Sequence, residues 1–206
     1  MFRQFPQSDW SALGDRGHGV QFYETDAHLI EMLACYVGTA LVTGDVAVVI
    51  ATRPHRVALD KRLTSRGMNV RIAARGSRYI TLDADGTLAK LCRDDAIDEE
   101  RFREVIGSAV QRACTTPSAD GGRPRVYVFA EMVGLLCLDG QPEEAIRLEE
   151  LWNGLAHEYR FALCCAYPMN GFTQGHAAPF MRICAQHSHV FPAVERTSSA
   201  VAAAHF

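Results

Sequence analysis

Cys184-x2-His187 places a thiol and an imidazole one helical turn apart, which is half of a metal site. A second half would need Cys165, His18 or His55 to fold back onto that turn, and spacing along the chain does not supply it. The seven cysteines (Cys35, Cys92, Cys114, Cys137, Cys164, Cys165 and Cys184) include no CxxC pair and are odd in number. That pattern argues against a disulfide framework and against a zinc knuckle. Most stand in apolar surroundings, where cysteine packs as a small hydrophobe. Neither a metal nor a cofactor is expected on this count. A Cys/His nucleophile pair would also need an oxyanion-binding loop, and none is signalled.

The other groups able to do chemistry each carry an ordinary structural reading beside the functional one. His18 opens an apolar run; alone it is a surface or capping histidine, and in a site it could exchange hydrogen bonds with a small polar ligand near neutral pH. His55 falls in the first turn after the apolar run Val46 to Ala51, where it either satisfies a helix start or faces a ligand. Glu131 follows Arg125 to Ala130 directly and brings Met132 with it. A carboxylate so close to a buried run needs a partner or a raised pKa. Recognition, or a structural pair with an Arg or His, suits it better than catalysis. Trp152 is most simply core, while Asn153 beside it suits a buried hydrogen bond. Phe22, Tyr23 and Tyr167 would form an aromatic wall for a small apolar ligand if they reach one pocket.

The elements that must position these groups follow from periodicity. Gly44 to Ala51 ends in a continuous apolar run, as in a strand covered on both faces of a parallel sheet. His18 to Tyr23, Arg125 to Ala130 and Phe161 to Tyr167 repeat that pattern, with shorter strands at Val70 to Ala73 and Tyr79 to Leu82. Helices are predicted from Thr25 or Asp26 as N-cap to Gly44, from Pro54 to Gly67, and weakly over Leu88 to Cys92. Further helices run from the Asp98 cap through Ala113, over Pro142 to Tyr159, and over Phe180 to Val190 with Cys184, His187 and His189. Residues 115–124 read as a loop and Gly171 to Pro179 as a mobile connection. Strands alternating with helices in this way give an α/β fold, a three-layer sandwich with a mainly parallel sheet. Ligands of such sheets lie outside the carboxyl ends of the strands.

A sheet of this class often holds a nucleotide, and the sequence argues against one. The turn after the first strand, Glu24-Thr25-Asp26-Ala27, is acidic and lacks glycine, so it would repel phosphate where a phosphate loop should cradle it. GxGxxG, nucleophile-elbow and HExxH patterns are missing too. The formal net charge is −3, the only lysines are Lys61 and Lys90, and no basic patch is present, so direct nucleic-acid binding is not expected. With 206 residues, one domain is expected; no apolar run is long enough for a secretory signal or a membrane span, which points to the cytoplasm.

Taken in order, His18-x3-Phe22-Tyr23-Glu24, the Gly44-Asp45 strand ending Ala51-Thr52-x2-His55, Glu131-Met132-Val133, Leu148-Glu149-x-Leu151-Trp152-Asn153, Cys165-Ala166-Tyr167-Pro168 and Ile183-Cys184-x2-His187 resemble the MEDS family. That name denotes the sensory domain of methanogens, methylotrophs and the dichloromethane dehalogenase regulator. The resemblance covers about His18 to Glu195, and Ala130 stands where the family usually has Gly. It implies a RecA/KaiC-like sheet without its phosphate loop, and a non-enzymatic sensory domain for a small organic, hydrocarbon-derived ligand. Its partner would be a histidine kinase or a transcriptional regulator, and a homodimer is left open. The domain is expected over 17–195, with flexible tails over 1–16 and 196–206. His18, Phe22, Tyr23, His55, Glu131, Met132, Trp152, Asn153, Tyr167, Cys184 and His187 are the expected ligand-binding residues. Two other readings stand beside this one: a degenerate ATPase fold kept as a scaffold for a kinase or anti-sigma-type partner, and a metal or redox sensor using Cys184 and His187. The sensor reading expects His18, His55 and Glu131 to share one rim around a hollow.

Overall fold

The computed structural model describes residues 13–172 and 177–191. In chain order its first half contains β1 (His18–Tyr23), α1 (Asp26–Thr43), β2 (Val46–Ala51), α2 (Arg53–Ser65), α3 (Val70–Arg75) and β3 (Tyr79–Asp83). There follow α4 (Ala84–Leu91), the two-residue strands β4 (Cys92–Arg93) and β5 (Ala96–Ile97), and α5 (Glu99–Phe102). A π-helical turn (Arg103–Gly107) joins α5 to α6 (Ser108–Thr115). The last elements are β6 (Val126–Ala130), α7 (Met132–Leu138), α8 (Pro142–Glu158), β7 (Ala162–Pro168), α9 (Ala177–Ala185) and β8 (His189–Phe191).

The four runs read as strands from their apolar continuity, β1, β2, β6 and β7, are buried at every residue. They lie in a six-stranded sheet of order β3-β2-β6-β7-β1-β8 whose paired strands are all parallel. Alternation splits their side chains between two cores. Val46, Val48 and Ile50 pack with Val128, Phe102, Leu148 and Trp152, on the face that also takes Leu91 of α4 and Met132 of α7. Ala47, Val49 and Ala51 pack with Leu29, Leu33 and Tyr36 of α1 and with Leu59 and Leu63 of α2 on the other. The result is a three-layer α/β sandwich.

The helix starts follow cap chemistry. Thr25 accepts from the His28 N–H, and Asp98 from that of Arg101, so both predicted caps are in place. Gly44 ends α1 at φ 79°, with its N–H directed to the Ala40 and Leu41 carbonyls, a left-handed conformation that glycine adopts without strain.

Four stretches differ from the sequence reading. Val70 to Ala73 is not a strand: Asn69 accepts from the Ile72 N–H and caps α3, which has no buried residue. The helix over Leu88 to Cys92 begins earlier, at Ala84, because Asp83 caps it through the Gly86 N–H. Met132–Leu138 is helical although its almost continuous apolarity showed no stripe; it is buried on nearly every side, and a Cβ on Gly134 would lie 2.6 Å from the Ala166 carbonyl oxygen. The helix expected to reach Val190 stops at Ala185, and the chain turns to lay β8 along β1.

Leu13 to Arg16 fall in the expected N-terminal tail, yet Leu13 is buried and its carbonyl accepts from the Gly17 N–H at 2.7 Å. Residues 1–12 and 196–206 of the expected tails, and residues 173–176 of the expected mobile connection, lie outside the described residues. Among the described residues no helix is long and apolar enough to cross a membrane.

Candidate functional site

Chemistry-bearing side chains gather at two places, where the sequence reading expected one. The first is the carboxyl end of the sheet between β2 and β6. The helices after β2 pack on one face and those after β6 on the other, so a crevice opens between these neighbouring strand ends. Glu131 fills it. Its Oε2 accepts from the Thr52 N–H at 2.9 Å and its Oε1 lies 2.7 Å from His55 Nδ1. The opposite ring nitrogen, His55 Nε2, is 3.4 Å from the exposed Asp26 Oδ1 at the start of α1. Tyr23 closes this group; burial, helped by the charges of Glu131 and Asp26, pushes its hydroxyl far above the usual phenol range.

Both oxygens of a carboxylate that is 2% exposed are thus engaged by the protein's own groups. This is the structural pair with a histidine that the sequence allowed. The hydrogen bond that His55 donates to Glu131 raises the His55 pKa above 6.5, against the opposing effect of burial. A raised folded-state pKa means that the pairing's stabilisation is fully present below pH 6.5 and is lost as pH climbs through the folded value. In urea unfolding, the advantage of the wild type over His55→Gln should therefore shrink as pH passes 6.5. An advantage that stays constant with pH would mean that His55 gains no proton affinity from the fold.

The second place lies under α8 and α9, on the other side of β1 from Tyr23. His18 points there because it shares the strand face of Val20 and Phe22. Its Nε2 is 3.4 Å from Cys165 Sγ and 3.2 Å from Glu149 Oε2. The Cys165 thiol donates to Glu149 Oε2 at 3.2 Å, and the Tyr167 hydroxyl donates to Glu149 Oε1 at 2.7 Å. His187 brings its Nε2 to 3.3 Å from Glu149 Oε1, and its ring centroid is 4.1 Å from that of His18. Asn153 orients His18. Its Nδ2 donates to the Gln186 carbonyl at 3.1 Å, which turns its Oδ1 toward His18 Nδ1 at 2.9 Å. Burial by itself would raise the Glu149 pKa, but the facing imidazoles outweigh it and hold the carboxyl well below its usual range. Burial and the Glu149 charge push the Cys165 thiol far up, so it stays protonated here.

The expected residues therefore divide. Tyr23, His55 and Glu131 share the carboxyl rim, while His18, Asn153, Tyr167 and His187 meet in the second cluster. The expectation that His18 joins that rim is overturned, because His18 opens β1 at its amino end whereas Tyr23 closes it. Phe22 packs with Tyr167, its register partner on β7, and with Phe172 and Phe180 at centroid distances of 6.0, 5.8 and 4.9 Å respectively. Met132 and Trp152 are fully buried in the core. The Cys184/His187 half-site does not persist: α9 ends at Ala185, His187 turns inward, and Cys184 is not among the donors that converge.

The sequence reading quoted Glu149 and Cys165 in the motifs of the resemblance but gave Glu149 no site role, and Cys165 only that of a conditional metal partner. A signal for Glu149 existed. It stands four residues after Ala145 and three before Trp152, so a charged residue occupies the apolar stripe of α8, and such a residue needs buried partners.

A family model described as "MEthanogen/methylotroph, DcmR Sensory domain" (MEDS) matches residues 17–183. A comparison with curated proteins finds no match.

Proposed function

The chain belongs to the MEDS family of sensory domains, and on that premise we propose that it binds a small, mostly apolar, hydrocarbon-derived molecule without converting it and passes the bound state to a regulatory partner. A histidine kinase or a transcriptional regulator is the partner class this reading favours, in the cytoplasm. The observation that carries it is the aromatic nest of Phe22, Tyr167, Phe172 and Phe180 at the carboxyl ends of β1 and β7. Phe172 and Phe180 are only partly buried, so ring surface remains for an apolar guest. The rim formed by Glu131, His55 and Tyr23 carries fixed negative charge and engaged donors, which suits a guest without phosphate.

A ligand held only by the folded state raises the melting temperature as its concentration rises. Thermal-shift measurements over small organics, halogenated and methylated compounds included, should yield such a rise, and Phe180→Ala should diminish it. No shift across a broad set would sink this reading. The scaffold reading would then stand, and it has an observation of its own. The polar groups at the crevice between β2 and β6 already satisfy one another, as in a site that no longer takes a ligand.

A further inference from the structure

In the cluster under α8 and α9, two imidazoles each turn one nitrogen toward Cys165 and Glu149, and one of these, His187 Nε2, finds no hydrogen-bond partner among the described residues. His187 Nδ1 lies 2.7 Å from the Ile183 carbonyl, which can only accept, so that nitrogen carries a proton. His18 Nδ1 faces the Asn153 carbonyl oxygen and is a donor for the same reason. Both Nε2 atoms consequently point inward at Cys165 and Glu149. If the rings are neutral, His18 Nε2 can accept from the Cys165 thiol, but the lone pair of His187 Nε2 faces an acceptor-only carboxylate. His187 Nε2 shows the outcome: it is fully buried, 3.3 Å from Glu149 Oε1, and not aligned to share a hydrogen bond with it. If both rings are protonated, two positive charges 4.1 Å apart between centroids face one carboxylate in a dry interior. A cation at the centre would be met by both inward lone pairs, the thiolate and the carboxylate together.

We infer that His18 Nε2, His187 Nε2, Cys165 Sγ and a Glu149 carboxylate oxygen form a binding site for a divalent transition-metal ion, with Zn2+ the best match. The four donor atoms lie within 4.8 Å of one another. Three of their separations are 3.2, 3.2 and 3.4 Å, among His18 Nε2, Glu149 Oε2 and Cys165 Sγ. Tetrahedral zinc with bonds of about 2.0–2.3 Å places its ligand atoms roughly 3.3–3.7 Å apart, so three donors already stand near that spacing and His187 Nε2 would have to close in from separations of up to 4.8 Å. Two imidazoles, a thiolate and a carboxylate suit zinc and its neighbours and not magnesium or calcium, which take oxygen donors.

The charges balance as well. Thiolate and carboxylate neutralise a dication while both rings stay neutral. Binding releases the Cys165 thiol proton and any proton held on either Nε2. The outer partners that hold metal-binding histidines in orientation are already in place: Asn153 on His18, the Ile183 carbonyl on His187, and the Tyr167 hydroxyl on Glu149 Oε1, which leaves Oε2 free to ligate.

The test uses the full chain, expressed with zinc in the medium and dialysed, with metal content measured by elemental analysis. One zinc per chain is expected. Chain stripped with a chelator and refolded with Co2+ should show a thiolate-to-cobalt charge-transfer band together with the intense visible bands of four-coordinate cobalt. Cys165→Ser should lose the charge-transfer band, and His187→Gln should weaken the visible bands. Asn153→Ala, which removes only an outer partner, should weaken binding by about 10- to 100-fold. No stoichiometric zinc, or a charge-transfer band that persists in Cys165→Ser, would overturn the site. Should either ligand variant fail to fold, the wild-type cobalt spectrum decides: a one-equivalent endpoint with the thiolate band supports the site, and the absence of that band overturns it.

Discussion

Glu149→Ala should lower the unfolding free energy by about 3–5 kcal/mol, the range for removing one partner of a buried charge network. Glu149 is fully buried, and four side chains lean on it: His18, His187, the Cys165 thiol and the Tyr167 hydroxyl. Truncation leaves them without a shared acceptor in a buried site, and opens a void under α8. Glu149→Gln keeps the volume and one carbonyl acceptor, so it should cost clearly less. The measurement is guanidinium unfolding in the presence of a chelator, which keeps metal binding out of the comparison, with the midpoint shifted and the slope unchanged. An alanine variant within about 0.5 kcal/mol of wild type would show that the network gives the fold nothing, as for an ordinary surface substitution.

Trp152→Ala should cost a similar amount, about 3–5 kcal/mol, by opening a large cavity in the core. The indole is fully buried and meets Phe102 edge-on at a centroid distance of 5.3 Å and Phe161 at 6.1 Å, so its removal unpacks α5 and the residue leading into β7 from α8 together. Trp152→Phe separates the ring from its N–H. The indole Nε1 is buried with no hydrogen-bond partner among the described residues. An orphan donor of this kind costs about 1–3 kcal/mol, which offsets part of the lost volume. Phenylalanine should therefore be tolerated far better than alanine in the same unfolding measurement. Equal losses in the two variants would mean that the N–H is engaged and that Trp152 serves as more than core.

Much of the fold was legible because burial on both faces leaves a local signature. The runs His18 to Tyr23 and Val46 to Ala51 are apolar almost throughout, and the caps Thr25, Asp98 and Gly44 act through neighbours three or four residues away. The same local logic failed at Val70 to Ala73. An apolar stretch preceded by a capping Asn becomes a helix when no strand lies beside it, and nothing within four residues records which neighbour is present. Met132–Leu138 escaped notice for the opposite reason, since a helix buried on nearly every side has no polar face to mark its period.

The candidate residues were recognisable by type, but their grouping was not. Strand alternation implies that His18 and Tyr23 leave opposite faces of β1; it does not say which helix covers each face. That was decided by placing β1 between β7 and β8, which brings Cys165 and the chain after α9 to His18 across separations of 147 residues and more. The sequence alone determined a parallel α/β sandwich with an acidic, glycine-free turn where phosphate would bind, because hydrophobic period and turn chemistry are properties of short segments. Only the tertiary structure decided that Glu131 belongs with His55, and that His18 and His187 belong with Glu149 and Cys165. Strand order is set by packing summed over the whole sheet, and no short segment contains it.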